Sequence, residues 1–204
     1  ATLAEGPTLK AALDTYTAEA ITIDEAGRHQ LLSTIAIELR KVAARIDGVD
    51  ALVLVDAAST VLAAAGPAAD LWPEGRLIRL ATGSAKDRYD GVAHMAGRAF
   101  RVVTVPLSIN DAPIGALHLT TSLDQAYAES LAGLSRTGIA IMSDGLLLAS
   151  TLPPVAARAF EAAVARSGAM DGSIDLDGEA YAYRRLVQVG GASFYALGSV
   201  DQSS

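Results

Sequence analysis

The clearest periodic signal lies between Ile21 and Ile46. Leu32, Ile35, Leu39, Val42 and Ile46 recur at alternating steps of three and four, which places them on one face of a helix. Asp24 stands where an N-cap belongs and Gly48 where a helix should stop. The same spacing fits a coiled-coil seam, so the stripe packs either on the sheet of its own domain or against a second copy. A shorter helical pattern, with Leu9, Leu13 and Tyr16 after Pro7, occupies residues 1–20.

From Asp50 onward the pattern turns strand-like. Ala51 to Val55 is a continuous apolar run, Asp56-Ala57-Ala58-Ser59 a turn, and Thr60 to Ala64 a return strand. The stretch from Gly66 to Tyr89 carries Pro67, Trp72, Pro73, Gly75 and Gly83, and reads as a loop-rich connector with short helical patches. Asp90 to Ala96 is a third strand. Phe100 to Leu107 and Ile114 to Thr121 are two more, joined at Asn110-Asp111-Ala112-Pro113. Ser122 to Leu134 returns to a helical period.

A second copy of this plan follows. Gly138 to Met142 and Leu146 to Ser150 flank Ser143-Asp144-Gly145. The spacing predicts an amphipathic helix over Leu152 to Ser167, opened by Pro153-Pro154, with Val155, Phe160 and Val164 inward. Gly172 to Asp177 and the segment from Gly178 to Gln202 supply the last strands. Asp56/Asp144, Gly97/Gly178 and Leu117/Leu197 stand 88, 81 and 80 residues apart, the near-constant offset of a duplicated domain. The expected class is α+β. A long N-terminal helical segment (1–48) precedes two mainly antiparallel sheets in tandem, one in 49–134 and one in 135–204.

Composition narrows the function. Of 204 residues 51% are apolar and 19% charged, which describes a folded chain. The net charge of −7 and the lack of a basic cluster argue against nucleic acid. Without cysteine there is no disulfide, thiolate ligand or cysteine nucleophile. No apolar run is long enough to span a bilayer. The start at Ala1 without Met, and a strand pattern running almost to Ser204, suggest a piece excised from a longer protein.

Catalytic motifs are lacking: no GxSxG, GxxxxGK or GxGxxG occurs. His29, His94 and His118 form no HxH or HxxxH pair, although His94 and His118 on neighbouring strands, with Asp90, could assemble a metal site. The acidic group Asp175, Asp177 and Glu179 fits a solvated turn or a calcium site. No cofactor is expected, and the chain is expected not to be an enzyme.

VDALVLVDAASTVLAAAG after the long helix, FRVVTVPLSINDAPIGALHLTTSLD, and GIAIMSDGLLLASTLPP with EAYAYRRLVQ and ASFYALGSVDQ together resemble a double Cache domain. Such domains are the extracytoplasmic sensors of bacterial signalling receptors, and the resemblance covers almost the whole chain. It implies two PAS-like (Cache) subdomains, membrane-distal then membrane-proximal, outside the cytoplasmic membrane and flanked by transmembrane helices. It implies an output through a histidine kinase, a chemoreceptor or a nucleotide cyclase. It also implies a small ligand, often an amino acid or carboxylate, in the distal subdomain. The amino-acid-binding members carry a Tyr/Arg/Trp/Tyr signature over the distal pocket; Trp72, Arg76, Arg79 and Tyr89 fall in that region with a different spacing.

Within the chain's own pattern, the polar positions near the first connector are the ligand-binding candidates. Alternation sets Phe100, Val102, Thr104 and Pro106 on one face of their strand and Arg101, Val103 and Val105 on the other. Leu117 and Leu119 oppose His118 and Thr120. Arg101 inside an apolar run must reach water or meet an anion, and a ligand carboxylate would serve. The candidate set is Trp72, Arg79, Tyr89, Arg101 and His118, with Arg76 and Arg88 beside it. In the second copy Ala182, Gly198 or their neighbours stand where the first has Arg101 and His118. The alternative function is a structural or dimerisation module that holds a receptor together through the Leu32–Ile46 helix as a homodimer and binds nothing small.

Overall fold

A computed structural model describes residues 7–19, 22–78, 89–168, 170–176 and 179–200. Contacts divide the chain into two compact units, Ala1–Thr121 and Ser122–Ser204.

In the first unit, α1 (Pro7–Glu19) and α2 (Glu25–Ala43) precede β1 (Ala51–Asp56) and β2 (Val61–Ala65). Then come β3 (Tyr89–Met95), β4 (Arg98–Ile109) and β5 (Ala112–Ser122). The sheet order is β2-β1-β5-β4-β3, antiparallel at the pairings of β1 with β2 and β5 and of β3 with β4. Asp24 caps α2 by accepting the Gly27 N–H at 2.8 Å, as its position foretells. The helix ends at Ala43, short of Gly48, because its last carbonyls are taken by Ala44 and Arg45 in a tight turn.

The apolar stripe of α2 settles on its own sheet. Leu32, Ile35 and Leu39 are buried with Leu9, Leu13 and Tyr16 of α1 against Leu52, Leu54, Leu107 and Leu117. Val42 and Ile46 pack at the margin. The seam that a coiled-coil partner would occupy is therefore filled from within the unit.

The other face of the first sheet carries a second core. Ala51, Val53, Val55, Val61, Phe100, Val102 and Ala116 lie under Ala68, Trp72 and Ile78 of the connector. A three-residue 3₁₀ turn, Ala69–Leu71, and antiparallel pairing of residues 75–78 with 59–61 hold the described part of the connector there. This is the covered face.

The second unit comprises α3 (Gln125–Ser135), β6 (Gly138–Ser143), β7 (Leu146–Ser150) and α4 (Pro154–Ser167), then β8 (Asp171–Leu176), β9 (Glu179–Val189) and β10 (Ala192–Ser199). Its sheet order, β7-β6-β10-β9-β8, repeats the first. The sequence division between residues 134 and 135 differs from the contact division by α3. That helix packs on β6 and β7, and its Tyr127 ring meets Phe194 edge-on at 6.4 Å.

Helix α4 covers the second sheet. Ala156, Ala157, Phe160 and Val164 face inward, whereas Val155, expected inward, is 65% exposed. Pro154 occupies the first turn, so Val155 sits before the buried face begins.

Candidate functional site

Two consecutive registers place the polar residues of the first sheet. Val53 on β1 pairs with His118 on β5, and Ala51 with Thr120. Residues directly opposite in a ladder share a face, so His118 and Thr120 stand with Val53 on the covered face. On β4, Phe100, Val102 and Thr104 share that face by alternation. Thr104, His118 and Thr120 are all buried.

These buried polar groups are partnered. Thr104 Oγ1 lies 2.7 Å from His118 Nδ1, and Thr120 donates its hydroxyl to the Ala51 carbonyl at 2.9 Å. Burial pushes the His118 pKa down to about 4, because the apolar surroundings disfavour the imidazolium. At neutral pH the ring is uncharged, with one nitrogen held by Thr104 and one donor or acceptor position left at Nε2. A hydroxyl against an imidazole is the opening of a nucleophile–base pair, but a base this weak accepts a proton poorly. What the pair presents is hydrogen-bonding capacity at His118 Nε2.

Trp72 closes the same core. It is 1% exposed and meets Phe100 edge-on with ring centroids 5.8 Å apart. Its indole Nε1 is buried without a hydrogen-bond partner among the described residues.

Of the remaining candidates, Arg101 falls elsewhere. Arg101 pairs in register with Val92, on the face opposite Phe100 and Thr104. Its guanidinium donates to Asp90 through Nε at 3.0 Å and NH2 at 2.7 Å. With side chains 35% and 42% exposed, this is a surface pair, and Arg101 does not face the connector. Tyr89 occupies the β3 position paired with Thr104. Arg79 and Arg88 lie outside the described residues. Arg76 is exposed.

Alternation pointed to a residue that the candidate set omits. Arg98, two before Phe100 on β4, lies over the Phe100 ring at 5.1 Å, so among the described residues Arg98 is a cation beside the covered face. Thr104 was also legible as a partner, since it shares its face with Phe100. Among the described residues no group of three or more His, Asp and Glu could hold a metal ion. His94 is exposed and His118 buried, on opposite faces of the sheet.

The second unit treats its covered face differently. Phe160, Tyr183 and Tyr195 pack edge to face, with centroid separations of 5.2 to 6.1 Å. They join Ala140, Met142, Ile174 and Leu197 in one core. Aromatic rings thus fill the space under α4.

Solved structures share this architecture. The chain aligns over 98% of its length with 85% of a domain of a sensory box/GGDEF family protein from Vibrio parahaemolyticus, at 12% identity and TM-score 0.60. It aligns over 94% with 85% of the sensor domain of the V. cholerae histidine kinase DctB, at 11% identity and TM-score 0.57. It aligns over 98% with 95% of the ligand-binding domain of the Pseudomonas fluorescens chemoreceptor CtaA, solved with L-serine, at 16% identity and TM-score 0.54. No family model matches the sequence, and no curated protein does. At these identities the likeness establishes the fold: the α+β architecture of two tandem, PAS-like antiparallel sheets expected from the sequence is the one observed.

Proposed function

We propose that this chain is the extracytoplasmic sensing domain of a transmembrane receptor and that its first unit binds a small metabolite on the covered face. The output domain would be a histidine kinase, a chemoreceptor domain or a nucleotide cyclase, and the chain itself would bind without catalysing. The observation that carries the reading is the contrast between the two covered faces. The first retains a buried, uncharged His118–Thr104 pair; the second is packed with aromatic rings. The pair satisfies His118 Nδ1 and leaves Nε2 as a hydrogen-bonding position that a polar group of a ligand could use. The extracytoplasmic location draws support from a neighbour of the same fold that is the extracellular domain of a histidine kinase. Among the described residues no helix is long and apolar enough to cross a membrane, so the flanking spans belong to the proposal.

His118, Trp72, Tyr89 and Arg79 are the proposed contacts. Arg101 is left out because its carboxylate partner is Asp90, on the other face. Amino acids and small carboxylates are the first ligands to try. A homodimer would use the outer surface of α2, since the Leu32–Leu39 stripe is occupied.

The test is a thermal-shift panel of amino acids, mono- and dicarboxylates. A ligand that binds only the folded state raises the midpoint in proportion to its saturation, and His118→Leu should remove that rise. A flat panel sinks the reading, as does a shift retained in both His118→Leu and Trp72→Phe.

A further inference from the structure

Tyr183 of β9 is buried under α4 among other rings. It meets Phe160 of α4 edge to face at 5.4 Å and Tyr195 of β10 at 6.1 Å. On a third side it meets backbone. Tyr183 pairs with Gly172 on β8, and a Cβ built on that glycine would stand 2.6 Å from Tyr183 Oη and 2.8 Å from its Cζ. The phenol ring thus lies in a notch that a glycine leaves open, the close approach for which a glycine inside a strand is suited. The first unit repeats the pair in the same register with a smaller side chain. Val102 pairs with Gly91, and these two residues stand 81 positions before Tyr183 and Gly172. Val102 belongs to the core under the connector as Tyr183 belongs to the core under α4. A sheet of this topology therefore folds and packs without a ring at that position.

We infer that Tyr183 is the built-in occupant of a site for a small phenol: the covered face of the second unit is a pocket that the chain closes with its own side chain. The walls are those a free phenol would use. Phe160 and Tyr195 offer edge-to-face ring contacts, and the Gly172 backbone admits the hydroxyl end of the ring. Because this phenol is attached to β9, it is present at the site at all times, and the second unit is closed to ligands from solution. The inference does not depend on what the first unit binds, since Phe160, Gly172, Tyr183 and Tyr195 all belong to the second.

The test uses the whole chain. Tyr183→Val installs the residue that the first unit carries in this register and removes the ring. Phenol, the group removed, should raise the thermal midpoint of this variant to saturation and leave that of the native chain unchanged. Amides of α4 should gain hydrogen-exchange protection in the variant as phenol saturates it. If Tyr183→Val is unfolded alone, phenol should restore the circular dichroism of the native chain. Gly172→Ala tests the notch separately. It should lower the midpoint of the native chain, because its methyl meets the ring, and be nearly silent when added to phenol-free Tyr183→Val or, where that variant is unfolded, to Tyr183→Leu. No response of Tyr183→Val to phenol, whether folded or unfolded, overturns the inference. So does an equal response of the native chain, or an equal loss from Gly172→Ala with and without the Tyr183 ring.

Discussion

His118 and Thr104 meet at 2.7 Å inside a sheet face whose apolar lining includes Val53, Val102, Ala116 and Phe100. The two residues come from adjacent strands, and each is buried. Removing one should therefore cost more than its own contacts, because the other stays buried with its hydrogen-bonding capacity unmet. Thr104→Val is expected to destabilise the first unit by about 1–3 kcal/mol. The double change Thr104→Val/His118→Leu should cost less than the two single changes together. Urea titrations of the four proteins measure that coupling; strict additivity would show that the pair is not an interacting unit.

The same burial makes a pH prediction. His118 has its folded pKa lowered to about 4 from 6.5, so the unfolded chain binds the proton first. Stability is full above pH about 6.5 and is lost as pH falls from there through 4. A shift of this size corresponds to about 3 kcal/mol once both states are charged. Carboxylates titrate in the same window, so the measurement is a difference: between pH 7.5 and 4 the midpoint of the native chain should fall more steeply than that of His118→Leu. Parallel slopes would mean that the ring is charged in the folded state at little cost.

Strand order, covers and tandem repetition were legible because they rest on periodicity, which every element displays. Boundaries and faces rest on register, and register was less visible. Leu117 and Leu197 answer each other at an offset of 80, yet Leu117 packs under α1 and α2 while Leu197 packs under α4. The two hairpins also differ. Asp56 holds a four-residue loop by accepting the Ala58 and Thr60 N–H groups at 2.8 Å. Asp144, its counterpart in sequence, takes φ 51° in a two-residue turn with Gly145 at φ 80°, the form that suits tight hairpins. Alternation assigned Arg101 to the face opposite Phe100 correctly. Its ion pair needed the β3–β4 register, which brings Val92 opposite Arg101 and so sets Asp90 within reach.

Because that pair is exposed on both sides, Arg101→Ala should change stability by no more than about 1 kcal/mol. It should also leave ligand-induced thermal shifts unchanged. A loss of binding without a loss of stability would return Arg101 to the ligand site.

Phe160 touches both Tyr183 and Tyr195 edge-on and is fully buried. Phe160→Ala opens a cavity at the centre of the second core, and the expected cost is about 3–5 kcal/mol. Phe160→Leu should recover a large part of it by refilling volume. Hydrogen exchange locates the effect: amides of β6, β9 and β10 should lose protection while those of β1 and β5 keep theirs. Uniform loss over both sheets would mean that the two units unfold as one cooperative block.

The α2 stripe offers the sharpest distinction between core and interface. Leu39 has no exposed surface and Ile37, two residues away on the same helix, is 44% exposed. If the stripe were a dimer seam, Leu39→Asp would yield a folded monomer. Because Leu39 packs in the first unit's own core, an unpaired buried carboxylate there should instead unfold the unit, at a cost of several kcal/mol. Ile37→Asp removes only a half-exposed side chain and should change stability by less than about 1 kcal/mol. It would, however, break any self-association through the outer face of α2. Circular dichroism melts with sedimentation velocity at two concentrations separate these outcomes. A folded, monomeric Leu39→Asp would reassign the stripe from core to interface.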